Sequence, residues 1–352
     1  MALRTAPRPH RHRFRRSLAG AQTLAAEWQR WVADNLLAGA APTQVAEELS
    51  RRGVPRSLAR TAVAELDGHP ALAAARASLR SGRQLEVVRR LLSLQAKLAA
   101  NPSAIERRAT PNADELFDRY LATSTPVIFT DLVPRWPAFG RWCPEFFRAR
   151  YGEVSVQITD ARESDPFYDA RSEQHARTVR MDEFVTRVLD ARTSNDFYMV
   201  AKNRNAAQAG LAGIFDEISL PDGWFREDQQ RSSTALWFGP AGTITPLHHD
   251  ASSILFCQIY GRKRWRMASP LETPLLQGAR AMYSAFDPEN LPEAPKLDVT
   301  FKDFVLEPGE ALFIPAGWWH DVRALDVSIS LGMNHFAREN NYDGWYTPGA
   351  LP

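Results

Sequence analysis

Two histidines and one aspartate are the residues of this chain whose types and spacing best fit metal chemistry. His248 and Asp250 are separated by a single residue, and His320 follows about seventy positions later. A His-x-Asp pair with a distant histidine can form the 2-His-1-carboxylate facial triad, which holds Fe(II) on one face and leaves the opposite positions open for an oxidant and a co-substrate. The spacing therefore predicts a non-haem iron site and an oxygenase reaction.

The residue between the first two ligands is itself a histidine, so the pair must be chosen. Side chains alternate between the two faces of a β-strand. On a strand, His248 and Asp250 share one face and His249 points to the other. We therefore predict that His248 and Asp250 bind the metal and that His249 packs behind them.

Short apolar strands bounded by turns must position these ligands. Residues 254–260 and 263–267 predict two strands, and the tight turn at Gly261 and Arg262 indicates that they form a β-hairpin. Residues 311–315 predict another strand, which follows a turn at residues 306–310 and leads to His320.

Lys263 is the residue in this region that most needs an explanation. Alternation places it on the apolar face with Trp265 and Met267, while the arginines at positions 262, 264 and 266 share the opposite face, which we expect to be solvated. An unpaired buried charge is costly. We therefore expect Lys263 to pair with the carboxylate of a bound acid; the alternative is a lysine at a hairpin end that reaches water.

With these residues in place, the chain resembles the JmjC or cupin-like family of Fe(II)- and 2-oxoglutarate-dependent oxygenases over residues 106–337. The matching stretches are residues 124–129 with 136–137, then 245–250, 258–264 and 308–320. The resemblance is greatest to the protein-hydroxylase branch, which includes the asparaginyl hydroxylase that acts on hypoxia-inducible factor. It implies a mainly β fold with flanking helices, a double-stranded β-helix of the jelly-roll type.

The resemblance also assigns residues to a co-substrate site. His248, Asp250 and His320 match the iron ligands and form the catalytic centre. Lys263, Thr245 and Tyr198 match residues that contact 2-oxoglutarate, and O2 takes the remaining position on the metal. Asn334 is a candidate substitute for a family asparagine that aligns with Gly332, because it keeps the strand parity of Ser328 and Ser330. At two positions the chain departs from the family, because Ile254 and Gly332 stand where asparagines are frequent.

The substrate is left open by the sequence. Tyr168, Trp237 and Trp318 are candidates for substrate contacts. Hydroxylation of a protein or peptide side chain is the main hypothesis. The alternatives are hydroxylation of a small metabolite or biosynthetic intermediate, removal of an N-methyl group, and a non-catalytic metal-binding cupin with a DNA-binding or adaptor role.

The first hundred residues have a different character from the rest. Residues 1–20 are basic and predict a disordered tail, and residues 21–105 predict an α-helical module with helix ends at Gly39 and Gly53. The oxygenase domain is expected at residues 106–345. Separate helices are expected from Pro70 and over residues 84–100.

Two hypotheses concern the helical module. Residues 43–66 have the helix–glycine turn–helix pattern of some DNA-binding proteins, but such helix pairs are common in proteins that bind no nucleic acid. The apolar stripes of the helices favour self-association instead, with a homodimer as the expected assembly.

The bulk composition fits an enzyme of a reducing compartment. The chain has 352 residues, a net charge of +2, 44% hydrophobic residues and only two cysteines, Cys143 and Cys257. These values argue against a polyanion-binding protein and against a disulfide scaffold. No apolar run approaches the ~20 residues that span a bilayer, and no secretory signal is apparent, so we expect a cytoplasmic protein without a membrane partner.

Overall fold

The computed structural model of this chain describes residues 3, 14–16, 22–98, 101, 103–191, 193–280, 282–284, 286–289 and 299–342. The chain divides into two compact units, Met1–Leu94 and Gln95–Pro352. Most of the predicted basic tail lies outside the described residues. Among its described residues, Phe14–Arg16 form a short strand, β1, where we expected disorder. The strand forms because β2 at Gln22–Leu24 supplies an antiparallel partner, which composition does not reveal.

The first unit is helical, as predicted, and its last helix extends three residues beyond Leu94. The helices are α1 Ala26–Leu37, α2 Pro42–Arg51, α3 Arg56–Asp67 and α4 Pro70–Lys97. Gly39 and Gly53 follow α1 and α2 with positive φ angles of 93° and 89°, which glycine adopts at little cost. The first three helices enclose an apolar cluster in which the rings of Trp28 and Trp31 meet edge to face at 5.9 Å.

Helix α4 differs from the prediction of two separate helices, because it runs for 28 residues without a break. Neither Ser81 nor Gly82 interrupts its backbone hydrogen bonding, since an isolated glycine weakens a helix without ending it. Much of its apolar surface is exposed, including 71% of Leu85 and 53% of Val88. The other exposed large apolar residues of this helix are Leu79, Val87, Leu91, Leu92 and Leu94.

Within the described residues, the second unit is built on two six-stranded sheets. Its strands are β3 Glu106–Arg108, β4 Val127–Phe129, β5 Ser155–Thr159, β6 Ala176–Arg180, β7 Thr234–Gly239, β8 Ile244–His248, β9 Ile254–Tyr260, β10 Lys263–Ala268, β11 Gln277–Arg280, β12 Tyr283–Ser284, β13 Lys302–Leu306, β14 Ala311–Ile314, β15 Trp319–Ala324 and β16 Ser328–Met333. One sheet has the order β11-β12-β8-β15-β10-β13, and the other has the order β3-β4-β14-β9-β16-β7. Strands β5 and β6 pair separately.

The chain winds between these sheets as in a jelly roll. Strands β7, β9, β14 and β16 belong to one sheet, whereas β8, β10 and β15 belong to the other, so that the chain crosses repeatedly from one sheet to the other. Side chains from both sheets form the core between them, where Phe256 and Trp265 meet edge to face at 4.8 Å. This arrangement confirms the predicted double-stranded β-helix with a helical flank.

The predicted β-hairpin over residues 254–267 is wrong, although both of its strands exist. β9 pairs with β14 and β16, whereas β10 pairs with β13 and β15. The turn at Gly261 instead carries the chain from one sheet to the other. Gly261 has a φ of 69°, and a Cβ atom there would lie 2.0 Å from the carbonyl oxygen of Val327, so only glycine fits.

The arginine face of β10 is also less solvated than predicted. Arg266 is only 8% exposed, because acidic side chains from other segments cover it. Its guanidinium pairs with Glu289 at 2.5 Å and with Asp303 at 3.3 Å, and Asp303 also binds Arg264. Arg262 remains exposed and pairs with Asp326.

Helices buttress the second unit. They are α5 Ala113–Glu115, which continues as a π-helical segment at Leu116–Leu121, α6 Pro144–Tyr151, α7 Met181–Asp190 and α8 Thr273–Leu276. Phe147 on α6 and Phe184 on α7 pack against Phe238 of β7, with ring centroids 5.5 and 5.1 Å away. Among the residues described, no helix combines the length and apolar character needed to cross a membrane.

Candidate metal centre and co-substrate pocket

The three predicted metal ligands meet at the ends of two neighbouring strands. His248 is the last residue of β8 and lies directly opposite His320 of β15. Asp250 follows two residues after β8, where its backbone carbonyl accepts a hydrogen bond from Gly317 at 2.8 Å. One ligand atom from each of the three residues can be chosen so that all lie within 4.8 Å of one another. Asp250 lies beyond the strand, so a loop as well as strand alternation brings it to the site.

The hydrogen bonds of the two imidazoles prepare them to bind a metal. Nδ1 of His248 lies 2.8 Å from the carbonyl oxygen of Pro246, and Nδ1 of His320 lies 2.9 Å from that of Trp318. A carbonyl oxygen can only accept, so each Nδ1 carries the proton and each Nε2 keeps its lone pair. Both Nε2 atoms face Asp250, at 3.8 and 3.5 Å from the carboxylate. This is the usual way in which a metal-binding histidine is oriented.

Electrostatics keep His320 neutral. Its burial, reinforced by the neighbouring His248, lowers the pKa of His320 to about 4. A neutral imidazole is the form that coordinates a metal. The donor set of two neutral imidazoles and one carboxylate fits Fe(II).

His249 is placed apart from this cluster. It is 1% exposed, and its ring packs edge to face on Trp319 with centroids 4.5 Å apart. Burial lowers the pKa of His249. The position agrees with the packing role expected from alternation.

Lys263 is buried, as alternation predicts, and its charge has no matching acid. Only 1% of the residue is exposed, and Nζ donates a 2.9 Å hydrogen bond to the hydroxyl of Tyr198. No carboxylate within the described ranges forms an ion pair with it. Burial lowers the pKa of Lys263 to about 7. The predicted partner acid is therefore not supplied by the described residues.

One cavity of about 290 Å³ joins the triad to Lys263. It contains all the predicted co-substrate residues, because Thr245, Tyr198 and Asn334 also line it. Asn334 is exposed, and its amide group donates to the hydroxyl of Ser252 at 3.3 Å.

The two departures from the family lie side by side in this cavity. A Cβ atom at Gly332 would lie 2.5 Å from Cζ3 of Trp237 and 3.5 Å from Cγ2 of Ile254. The indole ring of Trp237 therefore occupies the space that a larger side chain at position 332 would need. The wall formed by Trp237 and Ile254 is apolar where amides were expected.

The structure separates the three candidate substrate residues. Trp237 lines the cavity with the triad. Tyr168 instead lines a second cavity of about 620 Å³, so it does not share the space of the metal ligands. Trp318 lines neither cavity, and its indole Nε1 donates to the carbonyl oxygen of Ser124 at 2.9 Å. Its contacts are those of a packing residue, because the turn before β15 directs the ring toward residue 124.

A polar group at the wall of the first cavity was missed by sequence reasoning. Tyr283 stacks on His248 with centroids 5.7 Å apart and donates a 2.6 Å hydrogen bond to the carboxylate of Asp169. Lys202 donates to the hydroxyl of Tyr283 at 3.0 Å and to the backbone carbonyl of Asp169 at 2.8 Å. These residues come from three distant segments without a shared motif, so no local pattern could have found them.

A jelly roll that brings two histidines, a carboxylate and a buried lysine to one cavity defines a metal-dependent oxygenase. The profile of the cupin-like domain family matches residues 113–341. The chain belongs to the JmjC and cupin-like family of Fe(II)- and 2-oxoglutarate-dependent oxygenases.

Several relatives are named demethylases. The chain is 30% identical over 248 residues to lysine-specific demethylase 8 of Xenopus tropicalis, covering 65% of this chain and 52% of that protein. It is 28% identical over 239 residues to lysine-specific demethylase JMJ30 of Arabidopsis thaliana, covering 64% and 53%. It is 25% identical over 262 residues to arginine-specific demethylase JMJ20 of the same plant, covering 62% and 53%. The chain thus spans about half the length of these relatives.

Proposed function

We propose that His248, Asp250 and His320 hold Fe(II), and that Lys263 binds the distal carboxylate of 2-oxoglutarate. The observation that carries this proposal is the buried ammonium group of Lys263, which lines the same cavity as the triad. Among the described residues, it donates a hydrogen bond to the hydroxyl of Tyr198. When bound, Fe(II) with 2-oxoglutarate and O2 supplies the oxidising power to insert one oxygen atom into a C–H bond, with succinate and CO2 as co-products.

The other residues of the cavity have supporting roles in this proposal. The hydroxyl groups of Tyr198 and Thr245 donate to the co-substrate carboxylate beside Lys263. The apolar side chains of Trp237, Ile254 and Phe256 exclude water, which strengthens the charge-assisted contact of the lysine.

We further propose that the substrate is an N-methylated lysine or arginine side chain of a protein. The names of the relatives favour this reaction over the hydroxylation that the sequence suggested first. Asp169 and Tyr283 supply a carboxylate and an aromatic ring at the cavity wall, which are groups that attract an alkylated cation. Oxidation of the N–CH3 group gives N–CH2–OH, which then breaks its C–N bond to release formaldehyde and leave N–H.

Stable hydroxylation of an uncharged protein side chain is the second candidate. Lys202 favours it, because its ammonium lies against Tyr283 and lines the same cavity. A fixed positive charge at this place repels a cationic substrate and leaves an uncharged one unaffected.

Peptides that carry trimethyllysine or dimethylarginine, with their unmethylated counterparts, distinguish these reactions. With Fe(II), 2-oxoglutarate and O2, demethylation should release formaldehyde and remove one carbon from the methylated peptide alone. Gain of one oxygen without formaldehyde would support the second candidate. His320→Ala serves as the negative control, because this variant should have no turnover. If succinate forms only with small metabolites, the protein-substrate proposal is wrong.

A further inference from the structure

Arg162 is a buried cation outside the first cavity whose guanidinium has few partners. It is 0% exposed and begins the short 3₁₀ turn Arg162–Ser164. Nη2 donates to the carbonyl oxygen of Ile244 at 2.6 Å. Nε and Nη1 have no hydrogen-bond partner in the part of the chain that the structure describes. No ion pair joins Arg162 to a carboxylate of the described residues. Such a group is costly to bury and calls for an explanation.

Two tyrosine rings flank this guanidinium. Cζ of Arg162 lies 4.2 Å from the ring centroid of Tyr168 and 5.2 Å from that of Tyr198. The hydroxyl of Tyr168 donates to the same carbonyl of Ile244, at 3.2 Å. Cation–π contacts of this kind are strongest where water is excluded. Arg162 therefore fixes both tyrosines and the start of β8.

The contacts of Arg162 involve residues that surround the buried Lys263. Tyr198 accepts the hydrogen bond of Lys263, and Ile244 precedes Thr245 on β8. Nζ of Lys263 lies 5.6 Å from the Tyr198 ring, so the charges of Arg162 and Lys263 are within about 11 Å of each other. Two buried cations thus share one tyrosine, and neither forms an ion pair with a described carboxylate.

We propose that Arg162 is a positioning residue of the acid-binding pocket, which holds Tyr198 in place and adds positive potential for a dicarboxylate bound at Lys263. The proposal rests on the proposed function, because 2-oxoglutarate is the acid. The charge of Arg162 acts through the Tyr198 ring and does not touch the acid. At an effective dielectric constant of ~20, a unit charge about 10 Å away changes the affinity for an anion by roughly tenfold or more.

Two substitutions separate charge from packing. Arg162→Gln keeps a donor for the Ile244 carbonyl and removes the charge, whereas Arg162→Lys keeps the charge and loses the planar fork. Binding of 2-oxoglutarate is measured by calorimetry on protein loaded with Mn(II) without turnover, and Mn(II) affinity is measured separately. We expect Arg162→Gln to weaken 2-oxoglutarate binding by roughly tenfold or more, Arg162→Lys to restore most of it, and Mn(II) affinity to stay within about threefold in both.

A matched control is Arg187→Met. Its guanidinium lies 4.1 Å from the ring of Phe197 and pairs with Asp160, but it does not line the cavity. This variant should bind 2-oxoglutarate like the parent protein.

The outcomes are distinguishable. Equal affinity of Arg162→Gln and the parent overturns the role of Arg162 while leaving the co-substrate intact. Equal weakening by Gln and Lys, or loss of folding in both, assigns Arg162 a purely structural role and also overturns it. If the parent protein itself fails to bind 2-oxoglutarate, the proposed function is wrong and this inference falls with it.

Discussion

Replacing Lys263 by methionine tests the co-substrate of this enzyme most directly. The amine is buried, and burial lowers its pKa to about 7, so that its charged form is accessible near neutral pH before the acid binds. Completing the protonation near neutral pH is therefore a small cost beside the loss of a buried charge pair. A carboxylate left desolvated without its cation typically loses ~2–5 kcal/mol. Lys263→Met should thus weaken 2-oxoglutarate binding by roughly one to four decades.

The assay is calorimetric titration of 2-oxoglutarate into metal-loaded protein without oxygen. Metal affinity should survive in Lys263→Met, because the lysine is not a ligand, and methionine fills similar volume beside Trp265. Lys302→Met is the control, since Lys302 lies on β13 of the same sheet and donates to the carbonyl oxygen of Ala104. An unchanged dissociation constant in Lys263→Met would refute the assignment of Lys263 to the co-substrate carboxylate.

Three further predictions follow from other features. His248→Ala should abolish metal binding or turnover, as should loss of either other ligand, whereas His249→Ala should retain measurable activity; equal loss in both folded variants would contradict the ligand assignment. Without ligands, Lys263→Met should be more stable at pH 7 by on the order of 4 kcal/mol in denaturant unfolding, because the folded protein depresses the lysine pKa to about 7. This gap should close as pH rises toward ~10, where the unfolded lysine also loses its proton, and a gap independent of pH would show that Lys263 is not its source. Deleting residues 1–100 should give a smaller assembly in light scattering, because α4 exposes 71% of Leu85; an unchanged assembly would exclude self-association through the helical module, and salt-dependent binding of the intact chain to duplex DNA would support the helix-turn-helix hypothesis instead.

Local periodicity predicted which residues of the candidate metal site share a face. Alternation along a strand is a property of the backbone, so it could separate His248 from His249 and turn Lys263 inward before any partner strand was known. The ends of α1 and α2 could also be predicted from local sequence, because the glycines that follow these helices meet the requirement for a positive φ angle at those positions. The domain limits at residues 20 and 105 and the assembly of the helical module stay predictions.

Strand pairing was decided only by the tertiary structure. The turn at Gly261 has the composition of a hairpin, yet β9 and β10 lie in different sheets because other strands offer each of them better-placed partners. Contacts between segments that are distant in the sequence also cover Arg266 with Glu289 and Asp303. Alternation alone predicted that this arginine would face solvent.

The residues around the cavity show most clearly what could not be predicted from the sequence. Arg162, Tyr198 and Ile244 belong to three separate segments, and no spacing in the sequence connects a buried arginine with the lysine on β10. The sequence by itself determined which residues could bind a metal and which faces of the strands turn inward, because these follow from backbone geometry. The tertiary structure decided which charges are left without a partner, because that depends on every segment packed around them.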